Sequence, residues 1–320
     1  MRVNRRFLYW GILLVALGGV LVAADLGAVD TPALTDALRL WPLAIVAIGL
    51  SLVLRKTRWS LAGLMLAAAL PGVVLGAAFA VAPRFAGNCG ARGEVASAAT
   101  TEGRFDGPAT VFVRSGCGSL NVTTAPGSAW RLNAGNTAGR TPAIDSSARS
   151  LSVDATSERG RNFLDAGRDS WDLTLPTTDL DELSMVVTTG RGRVSLAGAS
   201  IKQLALTVNA AEAVVDAAAA SVADVSAVVN VGSLSLTLPA ASDLTGSLRV
   251  GAGELRICAP PGLGLRVTSR GVAGGVIVNG LDHQESDWQS PDYASATHRA
   301  DLTVRATFGA VEINPIGGCS

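Results

Sequence analysis

Charge, aromatic rings and histidine are all scarce in this sequence. Of its 320 residues, 16% are charged and 5% aromatic, and histidine occurs twice. An ordinary soluble domain carries about 25% charge. Basic and acidic residues balance at 26 each. A nucleic-acid binder needs a basic surface, so that class is excluded. The chain has no Gly-x-Ser-x-Gly elbow, no Gly-Lys-Ser/Thr end to a phosphate loop and no C-x-x-C pair. Pro260-Pro-Gly-Leu-Gly is a turn. His283 has Asp282, Glu285 and Asp287 near it, but that spacing fits no metal motif, and a solvated loop is the expectation. His298 lies in the same polar stretch. Neither a metal nor a cofactor is expected, nor is enzymatic activity.

Apolar residues are abundant, at 48%, and unevenly spread. Phe7 to Ala24 and Trp59 to Pro83 carry no charge, and Ala37 to Leu54 carries only Arg39. A bilayer core takes about 20 apolar residues per helix. The expectation is an anchor over residues 1–86 with three transmembrane helices, at about 7–24, 38–54 and 59–82. Trp10, Trp41 and Trp59 stand near the ends of these runs, where indole favours the headgroup layer. Arg2, Arg5 and Arg6 before the first run, and Arg55, Lys56 and Arg58 before the third, place those ends in the cytoplasm by the positive-inside rule. Everything after Pro83 is then extracytoplasmic, in a multi-pass protein of the cytoplasmic membrane with the bilayer as its first partner. The first run also has the form of a cleaved signal peptide, which leaves the side of the C-terminal part unchanged.

Cysteine usage points the same way. Cys89, Cys117, Cys258 and Cys319 all follow the last apolar run, as in an exported, oxidised domain. Three connectivities are open. Local pairing, Cys89 with Cys117 and Cys258 with Cys319, is the expectation, with buried free thiols as the alternative. The balanced charge is an average over two unlike parts. Residues 1–86 hold eight basic residues and three Asp, which leaves 18 basic and 23 acidic residues beyond them.

That remainder, residues 87–320, is repetitive. From about residue 183 to 280, positions recur at one fixed spacing. Val187, Val208, Val229 and Val250 form one register, and Val194, Val215, Leu236, Ile257 and Val278 a second. Gly190, Ala211, Gly232, Gly253 and Gly274 form a third, and Thr188, Asn209, Asn230 and Gly251 a fourth. Within each unit apolar and polar residues alternate, the period of a half-buried strand. A fixed period of this kind predicts an all-β domain, a β-solenoid (β-helix) with about 21-residue coils. The valine and leucine registers form its core, small residues occupy a tight corner, and Asn209 and Asn230 stack as a ladder. Thr110–Val113, Ser119–Val122, Trp130–Asn133, Ser150–Asp154 and Trp171–Leu175 read as strands of one capping segment, and Asp301–Thr307 and Ala310–Asn314 as the other. Residues 155–170 and 281–300 read as polar insertions.

The stretches FLYWGILLVALGGV from Phe7 and LWPLAIVAIGL from Leu40 resemble the paired transmembrane segments of LiaI/LiaF-type bacterial membrane proteins. The tail, Tyr293-Ala-Ser-Ala, Ala300-Asp-Leu-Thr-Val and Gly309-Ala-Val-Glu-Ile, resembles the close of the β-helical domain in LiaF-type and adhesin-type proteins. The resemblance implies a non-enzymatic bacterial envelope protein, an accessory sensor or regulator of envelope stress with a membrane or envelope protein partner such as a sensor kinase. The alternative is a structural or adhesive surface module, with self-association as a further option.

Overall fold

A computed structural model describes residues 5–25, 65, 67–73, 97–155, 167–272, 275–284 and 287–319. The chain divides into two compact units, Met1–Gly87 and Asn88–Ser320.

In the first unit, helix α1 runs over Arg5–Asp25, and residues 67–73 are also helical. Among the described residues no helix is long and apolar enough to cross a membrane. This corrects the expected three-helix transmembrane anchor and, with it, the multi-pass membrane location and the orientation drawn from it. An uncharged run requires burial and does not by itself specify a spanning helix. Helix α1 opens on Arg5 and Arg6, ends on Asp25, and carries Tyr9, Trp10, Gly11, Gly18 and Gly19 between them. The described helices instead bury small residues on one another. Leu13, Ala67 and Ala68 are buried, and a Cβ on Gly72 would stand 2.7 Å from the carbonyl oxygen of Leu13. Arg2, Arg55, Lys56 and Arg58 lie outside the described residues, as does the second run.

The second unit is built from strands in one sheet. They are β1 (Ser97–Arg104), β2 (Ala109–Ala125), β3 (Ala129–Asn136), β4 (Ala143–Ser146), β5 (Ser150–Asp154), β6 (Asp169–Pro176), β7 (Leu180–Ser195), β8 (Ser200–Asp216), β9 (Ser221–Thr237), β10 (Leu244–Cys258), β11 (Leu263–Val272), β12 (Val276–Val278), β13 (Asp282–Gln284), β14 (Asp287–Gln289), β15 (His298–Ala306) and β16 (Ala310–Ile313). From β7 to β10 each strand pairs in parallel with the next at one constant offset, as in Val187 with Val208 and Val208 with Val229.

A straight strand the length of β8 would measure about 56 Å at ~3.3 Å per residue. The linker 217–220 reaches under about 20 Å. A parallel neighbour so soon in sequence therefore requires β8 to fold back on itself and close a coil. The bend lies mid-strand, where Gly190 (φ 113°) and Gly232 (φ 122°) adopt backbone that L side chains rarely reach. At both, a Cβ would collide with the carbonyl oxygen of the bend residue one coil below, Gly118 and Ala211 respectively. Both halves of each strand send alternate residues into one core. Val187, Val208, Val229, Val250, Val194, Val215, Leu236 and Ile257 are all buried there, and Val278 is partly buried.

Sequence order and spatial order part company at both ends. Ile257 pairs with Ile313, and Val278 pairs with the far side of Ile313. The chain thus leaves β10, forms the outermost coil from β11 and β12, turns through the β13–β14 hairpin and returns to slot β15 and β16 in between. At the other end β2 stacks directly under β7, with β5 and β6 beyond it. Antiparallel strands finish both ends: β4 on β5, β3 and then β1 on β6, and β14 on β11. Trp130 and Trp171 are buried in the core near the first of these caps. Buried Asn136 ties down the loop that follows it. Its amide donates to Asp169 Oδ1 at 2.8 Å, and its oxygen accepts from the backbone of Ala138.

Cys258 and Cys319 form a disulfide that fastens the tail to the end of β10. Cys117 is disulfide-bonded as well, and Cys89 lies outside the described residues.

The close backbone approach at the bend makes a paired prediction. Gly232→Ala is expected to destabilise the chain by about 2 kcal/mol or more, because strain and collision add. Ala211→Gly, in the same register, is expected to cost about 1 kcal/mol. Denaturant midpoints at constant m-value measure both. The disulfide spans 61 residues of chain, and Cys319→Ser is expected to cost about 2–4 kcal/mol, read as lost amide protection first in β15 and β16.

Candidate functional site

The out-of-order coil at the C-terminal end creates the most developed polar site of the second unit. Slotting β15 between β10 and β11 places Asp301 opposite Thr245 on one side and Arg266 on the other, and Asp224 lies one strand beyond Thr245. These four side chains form a row across the outward face. Thr245 donates its hydroxyl to Asp224 Oδ2 at 2.9 Å, and Arg266 Nη1 stands 3.7 Å from Asp301 Oδ1.

The turn before β15 lays Tyr293 over this row. The residue is 7% exposed, and its hydroxyl donates to Asp301 Oδ1 at 2.7 Å. The Arg266 guanidinium lies 4.2 Å from the centre of its ring and that of Arg299 5.7 Å away, a cation–π arrangement. Arg299 donates from Nε to the carbonyl of Tyr293 and from Nη2 to that of Ala294, so its own turn fixes the guanidinium. Its backbone N–H donates to Asp243 Oδ1 at 2.9 Å. Burial pushes the Tyr293 phenol above its ordinary pKa of 10, and the hydrogen bond to Asp301 and that carboxylate's charge act in the same direction, while Arg266 and Arg299 oppose.

Beside this cluster lies a groove of about 490 Å³, lined by Asp243, Leu244, Thr245, Thr297, Arg299 and Asp301 together with Ala223 and Tyr293. Asp243 is well exposed and Asp301 about half exposed. The groove thus presents carboxylate and hydroxyl acceptors beside a fixed guanidinium.

The histidines named from the sequence separate. His283 meets Trp288 edge-on across the β13–β14 hairpin, with ring centres 4.4 Å apart. Asp282 is exposed beside it, Asp287 opens β14, and Glu285 lies outside the described residues. Among the described residues no group of three or more His, Cys, Asp or Glu is placed to hold a metal ion. His298 opens β15, its Nδ1 3.9 Å from Asp243 at the edge of the groove. Asn230 donates to Asn209 at 2.7 Å across neighbouring coils. Tyr293, Arg299 and Asp243 had no signal in spacing or period, and Arg266 lies one period after Thr245 with nothing in the pattern to mark it. Tyr293 figured only in the resemblance of the tail.

A second feature covers the face next to the groove. Ser184, Ala205, Ser226, Ser247, Thr303 and Thr268 follow one another across six strands, all pointing outward. Short side chains on adjacent strands about 4.8 Å apart make one row of low relief, bordered by exposed Arg249 and Arg305 on one side and by Asp301 and Arg266 on the other.

No family model matches this chain, and no curated protein matches it. Among solved structures it is similar to a provisionally described cell adhesion protein from Clostridium sporogenes ATCC 15579, with 15% identity and a TM-score of 0.45 over 68% of this chain and 98% of that one. It is also similar to provisionally described adhesins from Bacteroides fragilis NCTC 9343 (10% identity, TM-score 0.29, covering 68% and 97%) and Parabacteroides merdae ATCC 43184 (12% identity, TM-score 0.31, covering 68% and 96%). TM-scores this low carry no argument about the present chain.

The Tyr293 cluster predicts a pH dependence. A phenol whose pKa is higher folded than unfolded contributes stability in full below pH ~10 and loses it as pH rises through the folded value. Ultraviolet titration of the two tyrosines, Tyr9 and Tyr293, is expected to show one late phenol that vanishes in Tyr293→Phe. That variant is expected to lose about 1 kcal/mol at neutral pH and to show a shallower alkaline limb of the stability curve.

Proposed function

We propose that the second unit is a non-enzymatic, adhesive surface module, a β-solenoid scaffold that engages an extended partner across its outward face. The observation that carries this reading is the column from Ser184 to Thr268, six neighbouring strands that share one flat row of short side chains. A row of this length suits contact with an extended partner laid along it, whereas catalysis and small-molecule sites favour concave pockets. Backbone pairing at a fixed register holds the row, so little conformational entropy is lost when a partner docks. The disulfide from Cys258 to Cys319 suits an oxidising compartment, the setting of a surface module. No observation among the described residues favours envelope-stress regulation over this reading.

The test is an adhesion assay with the full chain coupled to beads and applied to cell surfaces and to purified matrix and envelope polymers. Saturable attachment is expected, falling several-fold for the double variant Ser226→Arg and Ser247→Arg with no change in melting temperature. Attachment no greater than that of uncoated beads, or attachment indifferent to that pair of arginines, would exclude the reading.

A further inference from the structure

We infer that the groove between the 292–297 turn and the starts of β9, β10 and β15 is a saccharide-binding subsite. This inference deepens the adhesive reading and rests on it. The chemistry of the lining selects the ligand. Asp301 Oδ1 accepts from Tyr293, and Asp243 Oδ1 accepts from the backbone of Arg299. In each case the carboxylate is fixed by one oxygen and its second oxygen is available to accept from a ligand. Thr245 already donates its hydrogen to Asp224, so toward the groove it acts as an acceptor. Arg299 is held rigid by two backbone carbonyls on its Nε and Nη2 sides and keeps further donors in its fork.

A ligand that satisfies this set must donate from several hydroxyls to fixed carboxylates and accept from one fixed guanidinium, and a pyranose does both. Charge separates it from the alternatives. Of the charged side chains that line the groove, Asp243 and Asp301 stand against Arg299. An anionic group would face both carboxylates and a cationic one the fixed Arg299 guanidinium, whereas a neutral polyol can donate to the first and accept from the second. Ala223 and Leu244 give the groove an apolar floor for the C–H face of a sugar. Its volume of about 490 Å³ lies within the range of small-ligand clefts, roughly 300–1,000 Å³.

The experiment is saturation-transfer NMR and calorimetry on the full chain, with neutral di- and trisaccharides, a sialylated trisaccharide and a lysine-rich peptide as probes. Saturable binding of at least one neutral saccharide is expected. Thr297→Arg, which fills the groove from an exposed turn, should weaken it at least tenfold, and Asp243→Asn should weaken it several-fold, both with unchanged melting. The Ser226→Arg and Ser247→Arg pair should leave saccharide affinity intact while lowering bead adhesion several-fold. Adhesion lost to the face variant but untouched by Thr297→Arg, with no saccharide bound, would sink the subsite and leave the adhesive reading standing. Binding of only the sialylated or lysine-rich probe would overturn the inference as well, since charge would then be the selecting chemistry.

Discussion

In the second unit, the carbonyl oxygen of one coil lies where the Cβ of the next coil's bend residue would stand. Gly118, Gly190, Gly232, Gly253 and Gly309 all show this approach, and Ala211 is the member of the same register that carries a Cβ. Backbone ladders fix the spacing between coils at about 4.8 Å, and the small bend register lets the chain turn at that spacing. It also limits what the core can hold. A coil closed by a bend within one strand encloses a narrow space, and Val, Leu and Ala fill it. Among the described residues the two buried tryptophans, Trp130 and Trp171, sit beside the cap, where the chain is no longer bound to the repeat. The scarcity of aromatic residues thus follows from the bend.

Parallel stacking carries a liability at its ends, because an uncovered coil offers unpaired N–H and C=O groups to any passing strand. Both ends meet this by running the chain one coil outward and bringing it back inside. Strands of reversed direction then cover the outermost coil, β4 and β3 at one end and β14 at the other. The polar residues at the first end serve that closure. Asp169 is largely buried, and burial raises its pKa against the opposing pull of the Asn136 amide, the Gly116 N–H and Arg140. Desolvating a carboxylate is tolerated there because three groups converge on it.

The repeat was legible in the sequence because each coil meets its neighbour with the same residue at the same offset. Val187, Val208, Val229 and Val250 must all be apolar to fill the same place, and the bend register must stay small. The strand from Ser150 to Asp154 could likewise be read from alternation alone. The order of coils at the ends could not. Val278 continues the periodic count past Ile257, yet Ile313 separates the two in space. A periodic pattern records what each coil looks like and says nothing about a later segment returning to intercalate. The uncharged N-terminal runs misled for a related reason. Lack of charge does not specify a spanning helix: Gly72 approaches Leu13 and Ala16 closely and Ala67 and Ala68 are buried, while Trp10, Leu14, Val15 and Val22 of α1 stay exposed.

The groove follows from the part of the chain that breaks the repeat. Had the coils continued in sequence order, Thr245 would face Arg266 directly, one period on, and no carboxylate would stand between them. Insertion of β15 puts Asp301 into that row. The 292–297 turn that delivers β15 brings Tyr293 and Arg299 with it, and the hydrogen bond from Tyr293 to Asp301 locks the turn onto the strand it introduces. The same excursion that protects the open end therefore assembles a set of side chains that no pair of periodic coils can offer. The periodic body can offer only a surface that repeats, which suits attachment over an area. Selectivity among partners has to come from where the repeat stops, because only there do unlike residues from distant parts of the sequence share one face.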